Sequence, residues 1–187
     1  SSSSSSSESS SSSSSSESSS SSSLASQSYA SVQKSPTASD GSSLFGWFIP
    51  NNCYSSDNFR TSSNDTTDHL VPSDFNFSIP SDVTITGIKV SIEGYGAGDT
   101  EAKRDLRLEL SKDNGSTIEG DSKTVVLTED PPETTVEAGG DDDLWGGSWS
   151  YTDINSSDFS VIITPNTTGG INTTRYIDHV QITVYYI

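Results

Sequence analysis

The stretch from Phe75 to Glu93 reads FNFSIPSDVTITGIKVSIE, and it decides the fold of the chain. Apolar residues alternate with polar ones along it, first with the parity of Phe75 and later with the parity of Ile88. Alternation with a period of two is typical of a β-strand with one face on a core. The phase changes at Gly87, and a glycine at such a change indicates a bulge or corner. The stretch therefore predicts strands that turn from one sheet to another.

The same alternation recurs between turn signals along the chain, and no segment has a helical period. The turn Lys112-Asp-Asn-Gly115 follows one such segment and is typical of a hairpin. We predict an all-β protein, a two-sheet antiparallel sandwich of jelly-roll type with about eight or nine strands. Besides the opening stretch, the clearest strand candidates are Leu44–Pro50, Leu106–Leu110, Lys123–Thr128, Phe159–Ile163 and Val180–Tyr186.

The N-terminal part differs in composition from the rest of the chain. Residues 1–23 are serine except for Glu8 and Glu17, so they cannot bury apolar surface. We divide the chain into a polyserine tail (1–23), a linker or inter-subunit strand (24–43) and a sandwich domain (44–187). Fully extended at about 3.3 Å per residue, the leader before the domain would reach roughly 140 Å. It is therefore long enough to visit neighbouring copies, and our candidate assembly residues are Leu24, Tyr29, Ala30 and Val32.

Charge and cysteine content exclude several classes of function. The formal net charge is -17, which disfavours nucleic acids and anionic membrane surfaces as partners. No apolar run is long enough to span a membrane. The single cysteine, Cys53, allows no intramolecular disulfide. We expect Cys53 to be a small buried residue, with an intermolecular bond or a reactive thiol as the alternatives.

Two clusters are candidates for ligand binding. Asp141, Asp142 and Asp143 carry oxygen ligands suited to calcium, but adjacent side chains point in different directions, so a solvated acidic turn is the alternative. Trp145, Trp149 and Tyr151 are candidates for a sugar-stacking platform. The alternative for Trp145 is a plug at the end of the sandwich. We predict no other cofactor.

The sequence offers no catalytic constellation. Only His69 and His179 are available as histidines, and neither has a serine or cysteine nearby in sequence that is marked as a nucleophile. A Gly-x-Ser-x-Gly elbow, a phosphate-binding loop and a zinc spacing are all absent from the sequence. We therefore predict a protein that is not an enzyme.

Glycosylation acceptor triplets are numerous in this Ser- and Thr-rich chain. Asn155 fits the Asn-x-Ser/Thr pattern but is expected to be structural. The polyserine tail is a candidate for O-linked glycans. The better N-linked candidates are Asn64, Asn114, Asn166 and Asn172.

Four segments together resemble a poorly characterised jelly-roll-like β-sandwich family that occurs in phage structural proteins and in bacterial surface proteins. They are Phe75–Val90, Asp143–Gly146, Asp153–Phe159 and Ile177–Tyr186, within a resemblance that covers roughly Trp47 to Tyr186. The resemblance implies a building block of external structures and brings no catalytic residues. The serine-rich leader has no counterpart in that family.

These observations predict a structural subunit of an extracellular or virion-type filament. In this hypothesis the subunits form a homo-oligomer, a helical filament, because the leader of one copy lies on the sheet of the next. The alternative is a carbohydrate-binding or adhesive module of a larger surface protein. Both place the protein outside the cell or on a virion or cell surface, with bound or covalent glycans as possible partners.

Overall fold

Two antiparallel sheets make up most of what the computed structural model describes, which is residues 29–41, 46–64, 69–97, 104–129, 131–166 and 173–187. A 3-10 turn (Pro50–Cys53) and a short helix α1 (Tyr151–Ile154) are the helical elements in these ranges. The strands are β1 (Ala30–Lys34), β2 (Ala38–Gly41), β3 (Thr61–Ser63), β4 (Leu70–Ser73), β5 (Ile85–Ala97), β6 (Asp105–Ser111), β7 (Glu119–Val126), β8 (Thr134–Gly139), β9 (Ser160–Pro165) and β10 (Thr174–Tyr186).

The predicted all-β sandwich is confirmed. The first sheet has the order β1-β10-β5-β8, and β3 pairs with the other half of β10, beyond the part that β1 covers. The second sheet has the order β2-β4-β9-β6-β7. Alternate side chains of β5 and β6, such as those of Val90 and Leu108, point into a single core that the two sheets share. The described strands number ten, more than predicted, because the leader supplies two of them.

The bulge predicted at Gly87 is confirmed. Tyr185 pairs with Gly87 while Tyr186 pairs with Ile85, so the β5–β10 ladder shifts register at this point. A Cβ atom at Gly87 would lie 2.1 Å from the carbonyl oxygen of Gly140, so only glycine fits. The shift explains why Ile85 and Ile88, which differ in parity, both face the core.

In the segment Phe75–Ile79 the three apolar residues are buried and the two polar ones are exposed, as the alternation predicts, but the segment is not a strand, and this part of the prediction is wrong. Its aromatic side chains pack in the core, with the rings of Phe75 and Phe77 centred 6.0 Å apart. In place of a neighbouring strand, Asn155 holds it: the Ile79 N–H donates to Asn155 Oδ1 (2.7 Å), and Asn155 Nδ2 donates to the Ile79 carbonyl (2.9 Å). Asn155 is structural, as predicted.

The prediction of a first strand over Leu44–Pro50 is also wrong in part. Phe48 forms one isolated antiparallel bridge with Ser62, and the 3-10 turn begins at Pro50. Proline at this position favours the turn because its φ angle suits a first helical residue. Residues 42–45 lie outside the described ranges.

Residues 30–41, which we call the strap, correct our view of the leader. In β1, Ala30 pairs with Tyr186 and Val32 pairs with Val184 of the same chain. Strand β2 pairs with β4 in the other sheet. The sandwich therefore begins at Ala30, earlier than the predicted boundary at residue 44, and a contact of the strap with a second copy stays a prediction. An attached strand reaches an open sheet edge at high effective concentration, so pairing within one copy is favoured over pairing between copies.

Two of the assembly candidates lie before the strap. Tyr29 precedes β1 and is exposed. Leu24 and the polyserine tail lie outside the described residues. Polar contacts fasten the strap: Gln33 Nε2 donates to Gln181 Oε1 (2.8 Å), and Thr37 Oγ1 donates to Asp74 Oδ2 (2.9 Å).

Two truncations test whether the strap, and not the residues before it, stabilises the fold. Removing residues 1–29 should leave the melting temperature unchanged, because the strap stays in place. Removing residues 1–41 exposes the edges of β10 and β4, so the melting temperature should fall by at least about 4 °C, which corresponds to roughly 1–2 kcal/mol. Thermal unfolding followed by circular dichroism measures both. Equal melting temperatures for the two truncations would contradict the position of the strap.

Two adjacent glycines test the packing behind β8. Gly139 has φ +81°, and a Cβ atom there would lie 2.1 Å from the Ile88 carbonyl oxygen. Around Gly140 the nearest heavy atom would be 4.0 Å away. Gly139→Ala should therefore lower the free energy of unfolding by about 2–4 kcal/mol, with Gly140→Ala close to neutral. Urea unfolding distinguishes the two, and equal losses would show that this backbone arrangement is incorrect.

Candidate functional site

The predicted sugar platform of Trp145, Trp149 and Tyr151 is not formed, because both indoles are buried in the core. Trp145 is 1% exposed, and its Nε1 donates to the carbonyl of Ile88 (2.8 Å). Trp149 Nε1 donates to the carbonyl of Leu144 (2.9 Å). Neither ring offers an open face to a sugar. The alternative, in which Trp145 plugs the sandwich, agrees with this burial.

Tyr151 is half-buried at the start of α1, which the sequence analysis missed. Ser150 caps this helix: its Oγ accepts from the Asp153 N–H, and the Asp153 carboxylate accepts from the Ser150 N–H. The Ser-x-x-Asp spacing was the available signal.

The acidic turn 141–143 supports Trp145. Asp143 lies 2.7 Å from Lys123 Nζ, and its Oδ1 accepts from the Trp145 N–H (2.8 Å). Burial favours the protonated form of Asp143, but these two donors outweigh it and lower the pKa. Asp141 and Asp142 are exposed. Within the described ranges, no three His, Cys, Asp or Glu side chains come together as a metal-ligating group.

The remaining candidates from the sequence are the cysteine and the glycosylation acceptors. Cys53 is buried, which raises the pKa of its thiol to about 12 and keeps it protonated. Asn64, Asn114 and Asn166 are exposed, as a glycan acceptor requires, and Asn166 Nδ2 donates to Asp105 Oδ2 (3.1 Å). Asn172 lies outside the described residues. Across the part of the chain that is described, no helix is both long and apolar enough to cross a membrane.

The most distinctive surface feature is a row of four residues across the outer face of the first sheet, which we call the aromatic row. Tyr95 of β5 pairs with Tyr176 of β10, Tyr176 pairs with Ser62 of β3, and Ser62 pairs with Phe48. Directly paired residues of antiparallel strands project from the same face. Their chain neighbours, such as Ile177, are buried, so the row faces outward.

One end of the row is fixed by stacking and charge. The rings of Tyr95 and Tyr176 are 4.8 Å apart between centroids and 22° from parallel. The guanidinium carbon of Arg60 lies 5.4 Å from the Tyr95 centroid, within cation–π range. Arg60 is itself held by Glu133, to which its Nε donates at 3.0 Å and its Nη2 makes a second bond. These contacts preorganise the tyrosine pair.

The other end of the row is open. Phe48 is 68% exposed, and small, half-buried Ser62 separates it from Tyr176. Two strand spacings put the backbones of Phe48 and Tyr176 about 9.5 Å apart. Ile49 and Phe59 are also exposed on the segment that carries Phe48. Contiguous exposed apolar groups commonly mark a binding surface.

Beside the row lies a partly buried histidine. His179 pairs with Glu93, two residues from Tyr95 on the same face of β5, and its Nε2 is 2.8 Å from Ser35 Oγ. Burial lowers the pKa of His179, while Glu93, Asp178 and Asp57 act in the opposite direction. Our sequence analysis found no serine near this histidine because the two residues are 144 positions apart. The contact ties the strap to β10.

The lowered pKa of His179 makes the stability of the fold depend on pH. Its unfolded pKa is about 6.5, so as pH falls below this value the unfolded chain takes up a proton before the folded chain does. The contribution to stability is thus complete above that pH and is lost on acidification. The free energy of unfolding of the unaltered protein, minus that of His179→Gln, should decline between about pH 8 and about pH 5. A difference that stays constant over this interval would contradict the burial of the imidazole.

No protein-family model matches the chain, and no curated protein matches it. One solved structure that resembles it contains the CBM22-1 and GH10 modules of the Clostridium thermocellum endo-1,4-β-D-xylanase 10B complexed with xylohexaose, at 11% identity and a TM-score of 0.37, over 83% of this chain and 25% of that one.

A second is the CBM36-1 domain of a multidomain xylanase from the hindgut metagenome of Trinervitermes trinervoides, at 9% identity and a TM-score of 0.36, over 83% of this chain and 96% of that one. The chain spans a quarter of the length of the first of these structures. Scores this low carry no argument about fold or function, which therefore rest on the geometry described above.

Proposed function

We propose that this protein is a non-catalytic carbohydrate-binding or adhesive module, and that the aromatic row is its binding surface. The observation that carries the proposal is the alignment of Tyr95, Tyr176, Ser62 and Phe48 across one outer sheet face. Such a module acts outside the cell or on its surface.

The chemistry of the row suits a sugar chain. The rings of Tyr176 and Phe48 offer apolar surface to the C–H groups of a sugar, while Tyr95 supports Tyr176 from behind. The tyrosine hydroxyls are polar groups at the same place. Arg60 and Glu133 lie at one end, where a guanidinium donates and a carboxylate accepts hydrogen bonds from hydroxyl groups. A binding site typically combines apolar lining with a few such polar groups.

Charge narrows the class of ligand. The net charge of -17 repels anionic polymers at long range. Glu93, on the same face as Tyr95, adds negative charge beside the row. We therefore assign a neutral polysaccharide to the row, with acidic polysaccharides and nucleic acids disfavoured.

No observation in the described residues favours the filament hypothesis over this one. The strand that was expected to bind a second copy instead pairs with β10 of its own chain. The resemblance to external structural proteins is compatible with a surface module and gives no separate reason to expect a polymer.

Alanine substitutions in the row test the proposal. Binding is measured by retention of the protein in native gels that contain soluble xylan, β-glucan, mannan or glycol chitin. For the polysaccharide that retains the unaltered protein, Phe48→Ala and Tyr176→Ala should each weaken binding at least tenfold, which corresponds to about 1.4 kcal/mol. Phe48 is largely exposed, so its replacement should leave the fold intact.

Tyr185→Ala is the matched control. Tyr185 lies on the same strand and face, nine residues from Tyr176, or roughly 30 Å along β10. Its loss should leave retention unchanged. The proposal fails if the unaltered protein is retained by none of these polymers, or if the control weakens binding as much as Phe48→Ala does.

A further inference from the structure

A concave site lies on the outer face of the other sheet, on the opposite side of the sandwich from the aromatic row. It is a groove of about 400 Å³ between the sheet and the β6–β7 hairpin. This volume lies within the range of small-ligand sites. The residues that carry the argument are His69, Val71, Arg107, Glu109, Asn114 and Ile162.

The polar wall of the groove is an ion pair. Arg107 Nε lies 3.4 Å from Glu109 Oε2, and the Glu109 side chain is only 8% exposed while that of Arg107 is 42% exposed. The Nε atom is buried and has no hydrogen-bond partner among the residues that the structure describes. A buried carboxylate and a partly exposed guanidinium thus stand side by side at the groove.

The polar wall continues through residues on the neighbouring strands. Arg107 pairs with Thr164, and Thr164 Oγ1 is 2.8 Å from His69 Nδ1. This contact fixes the imidazole of His69 at the far side of the groove. The groove therefore presents donors and acceptors in a fixed arrangement.

The floor is apolar and the hairpin closes one side. Val71 and Ile162 are buried beneath the hairpin. Gly115 has φ +81°, and a Cβ atom there would lie 3.0 Å from Val71 Cγ1, so the hairpin backbone sits close on the floor. The Asn114 N–H donates to the Asp158 carbonyl (2.8 Å), which anchors the hairpin tip.

We propose that this groove is a second saccharide site, one that recognises a neutral sugar by its hydroxyl groups. Glu109 accepts from one hydroxyl, Arg107 donates to its neighbour, and the apolar floor receives the C–H face of the ring. Because Arg107 and Glu109 already neutralise each other, the groove favours an uncharged polar ligand over an anion, a cation or a zwitterion. Among the described lining residues there is no Phe, Tyr or Trp, and the groove lies on the other sheet from the aromatic row, so the two surfaces bind separately.

Amide chemical shifts of the ¹⁵N-labelled full chain test the groove directly. Xylose, glucose, mannose, galactose and N-acetylglucosamine are titrated one at a time, and glycine and acetate are the charged comparisons. At least one neutral sugar should produce saturable shifts at the amides of Asn114, Gly115 and Ile162. Glu109→Gln and Asn114→Gly should each weaken that binding at least tenfold.

The variants keep failure of binding apart from failure of folding. Asn114 has φ +54°, a conformation that glycine accepts readily, so Asn114→Gly removes the side-chain amide without straining the turn. Tyr176→Ala should leave the groove titration unchanged, so this outcome does not depend on the function proposed for the aromatic row. The proposal is overturned if no neutral sugar shifts these amides, if only glycine or acetate does, or if both groove variants bind the sugar as tightly as the unaltered protein.

Discussion

The pairing of β5 with β10 is the interaction on which the rest of the structure depends. It is a long antiparallel ladder at the centre of the first sheet, interrupted by two register shifts. Since side chains alternate between faces, the register decides which residues enter the core and which face outward. It places Val90 and Ile182 in the core. The same ladder pairs Tyr95 with Tyr176 on the outside.

The two register shifts explain features that alternation alone cannot. The shift near Gly87 lets Ile85 and Ile88 both face the core. The other lies between Ile177 and His179 and leaves Asp178 buried at the bulge. Burial, reinforced by the nearby carboxylates of Glu133 and Glu93, raises the pKa of Asp178 despite backbone hydrogen bonds that lower it. Bulges often re-aim side chains beside functional surfaces, and here the shift lies next to the aromatic row.

Much of the fold could be predicted because its signals are local. The parity of Leu106, Leu108 and Leu110 and the glycine at position 87 lie within single strands, and both were sufficient. The pairing of β1 within its own chain could not be predicted, because only Val32 and a few small residues carry its pattern, while its partner β10 lies at the other end of the chain. Composition cannot say whether such a weak strand pairs with its own sheet or with another copy.

The candidate site could not be predicted from the sequence, because it too depends on contacts between distant residues. Trp145 and Trp149 stood out in the sequence by residue type, yet their burial is set by tertiary contacts with Ile88 and Leu144. The aromatic row brings together side chains from four separate segments between residues 48 and 176. No spacing of residues within one segment indicates it. Only knowledge of strand order and register would have revealed it.

The central claim is that this register builds an outward-facing surface that contacts a neutral sugar chain. Intermolecular nuclear Overhauser effects between a bound neutral oligosaccharide and the protein measure that contact most directly. The account predicts effects from sugar C–H protons to the ring protons of Tyr176 and Phe48. Effects confined to other parts of the surface, with none at either ring, would contradict it.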